Sequence, residues 1–221
     1  MATSLIGFMA LAQETTKETH NLPAFKGIEL GGAVQVFIRI GDGHEVVVVT
    51  KDDFHDKVEL EVNGGVLDVE IDGPNWGKTP EVKLYITLEE LHEIDAGGAC
   101  TIKGKNTFSG NFLNIDLSGA CTLELRTDVG LLDIDASGAA NLKIAGNARK
   151  ATVELSGACN LRAQDLLVEK ASVDMSGASS ARMHVTETIS CDLSGASDLK
   201  LKGNPEFEFK EISGAADLDR I

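Results

Sequence analysis

The sequence predicts an all-β protein: a parallel β-helix (β-solenoid) with coils of about 19 residues, preceded by a hairpin-rich β segment. Two observations carry this prediction. The tripeptide Ser-Gly-Ala recurs along the second half of the chain, and apolar residues alternate with polar residues around each copy. Alternation with a period of two is typical of β-strands, and no window shows a competing helical period.

The repeat places one motif glycine in each predicted coil, and in the first copy Gly97 stands in place of the motif serine. Successive copies lie 21, 19, 19, 20, 18 and 19 residues apart, and Glu29 to Ala33 resembles a degenerate earlier copy. The central glycines are Gly98, Gly119, Gly138, Gly157, Gly177, Gly195 and Gly214. Coils of a parallel β-helix stack about 4.8 Å apart, so equivalent residues form columns along the axis. The interior column after the motif contains only small residues: Cys100, Cys121, Ala140, Cys159, Ser179, Ser197 and Ala216.

Four regions follow one another along the chain. Residues 1–12 contain a short apolar run ending in Ala10-Leu11-Ala12, which is typical of a signal peptide, although a buried first strand is the alternative. Residues 13–24 form a polar lead-in, residues 25–95 an N-terminal β segment packed on the solenoid, and residues 96–221 the Ser-Gly-Ala repeat.

Two hairpins are predicted in the N-terminal segment. Residues 34–40 and 45–49 are apolar runs on either side of a glycine turn, and residues 58–62 and 66–71 repeat the pattern. Such runs around a short glycine turn are typical of antiparallel hairpins.

Charge excludes some classes of partner. The 221 residues include 20 Lys and Arg against 35 Asp and Glu, which gives a net charge of −15. So acidic a surface repels nucleic acid and anionic membranes. The apolar run near the N-terminus is too short to span a bilayer, and no later segment is long enough.

The candidate binding residues form an acidic column two positions before each motif serine or its equivalent. The column is Asp95, Asp116, Asp135, Glu154, Asp174, Asp192 and Glu211. Like charges one coil apart repel, so something should offset this repulsion. The candidates are bound divalent cations, the motif serines or a facing basic column. A partly basic column follows the motif: Lys103, Glu124, Lys143, Arg162, Arg182, Lys200 and Asp219.

Two interpretations of the acidic column remain open. It could bind Ca²⁺, which is the one cofactor predicted for this chain, or it could bind basic partners. Alternatively, it is a solvated face that prevents aggregation between sheet edges. The second is favoured because the Gly-Asp nonapeptide of calcium-binding coils does not occur, and no metal ligand is assigned.

The remaining polar and thiol groups are expected to be structural. All four cysteines fall in the interior phase of the alternation. Cys100 and Cys121 would lie on adjacent coils, close enough for a disulfide, but parallel side chains make its geometry awkward, so small apolar core residues are the favoured prediction. Residues 52–56 (Asp-Asp-Phe-His-Asp) form a local acid and histidine cluster that could hold a cation, but a polar loop is the expected explanation because no metal-binding motif accompanies it.

Phe25-Lys26-Gly27-Ile28, residues 88–94 and the Ser-Gly-Ala copies resemble a bacterial family, the putative auto-transporter adhesin, head GIN domain family, over roughly residues 22–221. The resemblance implies a right-handed parallel β-helix that is exported in Bacteroidetes-type bacteria. It implies no catalytic residues.

Together these features predict a non-enzymatic, exported, adhesin-like binding or scaffold module in the periplasm or on the surface of a Gram-negative bacterium. Its ligand would be an unknown glycan or protein. One alternative is a polysaccharide-active lyase or hydrolase, but the acids form a uniform column rather than an irregular catalytic cluster. The other is a structural solenoid that self-associates end to end as a homo-oligomer.

Overall fold

The computed structural model describes residues 15–72 and 80–221, which are almost entirely β-strand. The N-terminal strands are β1 (Thr15–Asn21), β2 (Gly27–Leu30), β3 (Gln35–Ile40), β4 (Glu45–Lys51), β5 (Val58–Asn63), β6 (Val66–Ile71), β7 (Lys83–Leu88) and β8 (Glu93–Ala96), with a 3-10 helix at Asp52–Lys57. The repeat forms β9 (Thr101–Leu117), β10 (Thr122–Ala136), β11 (Asn141–Leu155), β12 (Asn160–Met175), β13 (Ser180–Leu193), β14 (Asp198–Lys202), β15 (Glu206–Ile212) and β16 (Asp217–Arg220). The signal peptide predicted at residues 1–12 lies outside the described residues.

Successive strands of the repeat stack in parallel, which confirms the predicted β-solenoid. Strands β9 to β13 are 14–17 residues long, so each runs from just after one Ser-Gly-Ala turn to just before the next. Asp135, for example, pairs with Asp116 of the preceding coil and with Glu154 of the following coil. Equivalent sequence positions therefore lie side by side along the axis.

Each coil bends where the alternation of buried and exposed residues changes phase. In β12 the changes fall at two pairs of adjacent exposed residues, Gln164–Asp165 and Glu169–Lys170. They divide the coil into a first segment after the turn, a short second segment, and a third segment before the next turn. An apolar column at most 2% exposed fills the interior of the third segment: Ile94, Ile115, Ile134, Val153, Val173 and Cys191.

The motif glycine is required by the closeness of the coils. Gly138 has a φ of +79°, and a Cβ added there would lie 2.7 Å from the carbonyl oxygen of Gly119. The Ala139 N–H donates to that same oxygen at 2.8 Å, which holds the two turns together. Glycine is thus the residue that satisfies both the left-handed backbone and the packing of one turn on the next.

The N-terminal segment continues the stack but departs from one predicted hairpin. β5 and β6 are antiparallel, with Val58 opposite Ile71, as predicted. The hairpin predicted for residues 34–49 is wrong, because β7 lies between β3 and β4, parallel to β3 and antiparallel to β4. β3, β4 and β7 all alternate in the same way, so local sequence does not reveal which strands are neighbours. The polar lead-in includes β1, which pairs with β4.

The last coil is the least buried part of the repeat. Lys210 occupies the interior column position opposite Cys191, and it is exposed. Phe209 and Ile212 are 51% and 38% exposed. A long charged side chain in the core column explains why packing weakens in this coil.

Candidate functional site

The seven predicted acids form one continuous exposed column on the third segment of successive coils. The column extends into the N-terminal segment, because Glu29 pairs with both Asp95 and Asp68, and Asp68 pairs with Glu61. We call the ten residues the acid ladder: Glu61, Asp68, Glu29, Asp95, Asp116, Asp135, Glu154, Asp174, Asp192 and Glu211. The degenerate motif copy at residues 29–33 signals Glu29 in the sequence, whereas nothing local signals Glu61 or Asp68.

The acid ladder carries its charges without compensation. Within residues 15–72 and 80–221, no ion pair involves any member of the ladder. Burial, followed by the charges of Asp95, Asp135 and Glu93, raises the pKa of Asp116. The fold therefore holds these carboxylates beside one another at an electrostatic cost.

A basic strip follows the turn, on the first segment of the coils. Its members are Lys103, Lys105, Arg126, Lys143, Arg162, Arg182, Lys200 and Lys202, and the nearby acids are Glu124, Asp165, Asp198 and Asp219. Glu124 binds Lys143 at 2.7 Å, and this hydrogen bond lowers the pKa of Glu124. The Ser-Gly-Ala turn separates the strip from the acid ladder, so the basic column predicted to face the acids does not neutralise them.

Aromatic rings extend the basic strip toward the N-terminal segment. Phe37 pairs in register with Lys103 and stacks on Tyr85, with ring centroids 4.9 Å apart. The Lys105 ammonium lies 4.2 Å from the centre of the Phe37 ring, a cation–π contact. Tyr85 is 42% exposed, so this end of the strip offers an accessible aromatic surface beside positive charge.

A pocket of about 590 Å³ lies where the N-terminal segment meets the first coils, and we call it the corner pocket. Phe25, Val66 and Phe112 supply apolar lining, while His44 and His92 are among its polar lining residues. These residues come from separate parts of the chain that the fold brings together. Local sequence patterns therefore do not indicate the pocket.

Glu90 is the centre of the polar network in the corner pocket. The Lys26 ammonium donates to one oxygen of Glu90 at 2.6 Å, and Nε2 of His92 lies 2.9 Å from the other. These hydrogen bonds, Lys26 first, lower the pKa of Glu90 to about 2. The His92 ring lies 4.5 Å from the Phe112 ring, which joins the polar network to the exposed aromatic side chain.

The acid and histidine cluster at residues 52–56 forms the 3-10 helix instead of a loop. His55 is buried, with Nε2 2.9 Å from the Thr16 hydroxyl and Nδ1 3.8 Å from the Glu18 carboxylate. Both partners lie on β1, so the histidine fastens this strand to the helix.

The four cysteines are buried free thiols. The Cys121 thiol donates to the Ser118 carbonyl at 3.2 Å, and in a later coil the Ser179 hydroxyl donates to the Ser176 carbonyl at 3.0 Å. The shared geometry supports the prediction that Cys100 and Cys121 are small core groups, at the corner of their coils.

The two described ranges contain neither a clustered metal site nor a membrane-spanning helix. No group of three or more His, Cys, Asp or Glu residues there could hold a metal ion. No helix there is long and apolar enough to cross a membrane.

The sequence matches the family described as "Putative auto-transporter adhesin, head GIN domain" over residues 24–205. No curated protein matches it.

Solved structures with the same fold share little sequence with this chain. A putative adhesin from Bacteroides fragilis has a TM-score of 0.88 at 19% identity, covering 95% of this chain and 98% of that one. A putative adhesin from Parabacteroides merdae has a TM-score of 0.79 at 18% identity, covering 95% and 97%. A protein from Parabacteroides distasonis described as a putative lipid binding protein has a TM-score of 0.69 at 14% identity, covering 95% and 98%. At these identities the similarity establishes the fold alone.

Proposed function

Because the chain belongs to the putative auto-transporter adhesin, head GIN domain family, we propose that it is a non-enzymatic, adhesin-like binding module. It is exported, and it works in the periplasm or on the surface of a Gram-negative bacterium. The signal-like apolar run and the names of the related solved structures support this proposal. The ligand is a glycan or a protein.

The observation that carries the proposal is the segregation of charge on a rigid solenoid. A chain with a net charge of −15 collects eight basic side chains on one segment of its coils. Among the described residues, Lys103, Arg162 and Arg182 have no ion-pair partner. Unpaired cations on a strip that runs along successive coils suit an extended ligand with negative groups, since complementary charge speeds encounter and sets register.

The chemistry of the acids favours binding over catalysis. A general acid or base needs a pKa near the working pH. Glu90, in the corner pocket, has its pKa lowered to about 2 and is permanently ionised near neutral pH. The acid ladder repeats one group in every coil, which is unlike a pair of carboxylates with distinct roles. An assay for new reducing ends on acidic polysaccharides tests the enzymatic alternative, and release of such ends would contradict the proposal.

Calcium remains a proposal for the acid ladder. Carboxylates in single file offer each cation few ligands, so Ca²⁺ would gather along the column instead of occupying a closed site. Thermal melts with and without millimolar Ca²⁺ test this, and an unchanged melting temperature would contradict it.

The binding function is tested with a screen of glycans and immobilised proteins against the full chain. The informative variant is R162Q with R182Q, which removes two adjacent charges of the basic strip. The matched control is K150Q with K170Q, two residues that pair in register at the bend before the third segment. For an anionic ligand we expect about tenfold weaker binding in the first variant and no change in the control. Absence of any ligand in the screen would contradict the proposed function.

A further inference from the structure

We propose that the corner pocket binds an uncharged sugar residue, which makes it a second contact with a glycan in addition to the basic strip. The inference rests on the binding function proposed above and names the ligand class of one site. Its volume, about 590 Å³, is in the range of small-ligand sites, and its lining combines apolar groups with a few polar groups.

Phe112 provides the surface on which a sugar ring would pack. Its side chain is 44% exposed, although most large apolar residues of the coils are buried. The ring is held on one side by His92, with centroids 4.5 Å apart and planes inclined by 40°. Phe25 lines the same pocket and is only 1% exposed, so the apolar wall is anchored in the core. The C–H face of a pyranose is apolar and fits such a wall.

Polar groups with free hydrogen-bonding capacity lie around this wall. The Phe25 N–H donates to Nδ1 of His44 at 3.3 Å, which places the proton of the neutral ring on Nε2 as a donor. Among the described residues, that Nε2, the side-chain amide of Asn114 and the carboxylate of Glu93 have no hydrogen-bond partner. They supply both donors and acceptors, as hydroxyl groups require, because each hydroxyl both donates and accepts.

Charge selects against acidic ligands. Glu89, Glu90 and Glu93 line the pocket, and Lys26, the one lysine among its described lining residues, binds Glu90 at 2.6 Å. A uronate, a sialic acid or a phosphate would therefore meet net negative charge. An acyl chain would leave the amide of Asn114 and the carboxylate of Glu93 without partners, and unpaired polar groups disfavour binding.

The test is calorimetric titration of the full chain with methyl glycosides of glucose, galactose, mannose and N-acetylglucosamine. Glucuronic acid, sialic acid and a C12 fatty acid are titrated alongside. The variant is F112A, which removes the aromatic wall. The control is L131A, because Leu131 pairs with Phe112 in register, is 37% exposed and does not line the pocket. Both changes are at exposed positions, and equal melting temperatures verify that both variants fold.

The expected result is binding of at least one neutral glycoside, weakened about tenfold or more in F112A and unchanged in L131A. Binding of the acidic sugar or the fatty acid with the same dependence on Phe112 would overturn the inference. So would neutral-sugar binding that survives F112A, or the failure of all four glycosides. In each of these cases, the proposed binding function would still hold if the screen finds a ligand whose binding is weakened by R162Q with R182Q. Failure of the titrations and of that screen together would reject both.

Discussion

Replacing Asp116 with asparagine removes one charge from the acid ladder while keeping the side chain nearly isosteric. Asp95 and Asp135 are its registered neighbours, one coil away on either side. Two unit charges about 5 Å apart in water repel by about 0.8 kcal/mol, and screening at physiological salt roughly halves this. Relief from two neighbours therefore stabilises the fold by about 1 kcal/mol, which corresponds to a melting temperature about 2–4 °C higher for a domain of this size.

The pH dependence provides a second, independent measurement. Burial and the neighbouring carboxylates raise the pKa of Asp116, so the folded chain binds this proton more tightly than the unfolded chain does. The electrostatic penalty is fully present above the folded-state pKa, and stability from this group increases as the pH falls toward the ordinary value of about 4. D116N should lose part of that increase. Calorimetric melts at pH 7 and at about pH 4, in low and high salt, measure both effects.

D128N is the matched control. Asp128 is exposed on the second segment, and its registered neighbours Ser109 and Asn147 are uncharged. Removing its charge should change the melting temperature by less than about 1 °C, an order-of-magnitude expectation for an isolated surface charge. A melting temperature of D116N at or below that of the wild type would refute the electrostatic account of the ladder.

Three further outcomes are expected. G138A should destabilise the chain by about 3 kcal/mol or more in denaturant titrations, because its Cβ would meet a backbone oxygen of the next turn at 2.7 Å. G32A also has a positive φ but no atom within 4 Å of the added Cβ, so it should cost only about 1 kcal/mol, and equal costs would reject the close-packing explanation. C121S should change stability by less than about 1 kcal/mol, since Ser179 makes the same hydrogen bond in a later coil, and a loss of several kcal/mol would contradict this. Self-association of the solenoid remains a prediction, for which sedimentation across micromolar concentrations should show oligomers, and a monomer throughout would count against it.

The stacking of the coils is predictable from the sequence because each coil repeats the same local pattern, a turn glycine flanked by alternating apolar and polar residues. A glycine at nearly constant spacing sets the register, so the motif spacing alone places Asp116, Asp135 and Glu154 side by side, as the strand pairing confirms. Alternation then separates interior from exterior. The predicted burial of Ile134 and Cys121 follows from the same rule.

The N-terminal segment and the corner pocket are not predictable in this way. β7 inserts between β3 and β4 through pairings between distant residues, and several strands with the same alternation could occupy that position. Likewise, His44 and Phe112 share a pocket only because separate turns end at one corner of the fold. The repeat determines only the pairing of equivalent positions in adjacent coils. The pairings of β7 and the contacts in the corner pocket join residues that are not at equivalent positions.

The bonds that join the turns also determine how the molecule bears mechanical load. The Ala139 N–H and the Gly119 oxygen, like their equivalents in the other coils, connect one coil to the next along the solenoid axis. Tension applied along that axis loads the hydrogen bonds between one pair of coils at a time. These bonds would break in sequence, so the coils would separate one by one at modest force. Tension applied across the axis shears a whole row of bonds at once and meets much higher resistance. The direction in which the solenoid is loaded would therefore decide whether it extends gradually or resists extension.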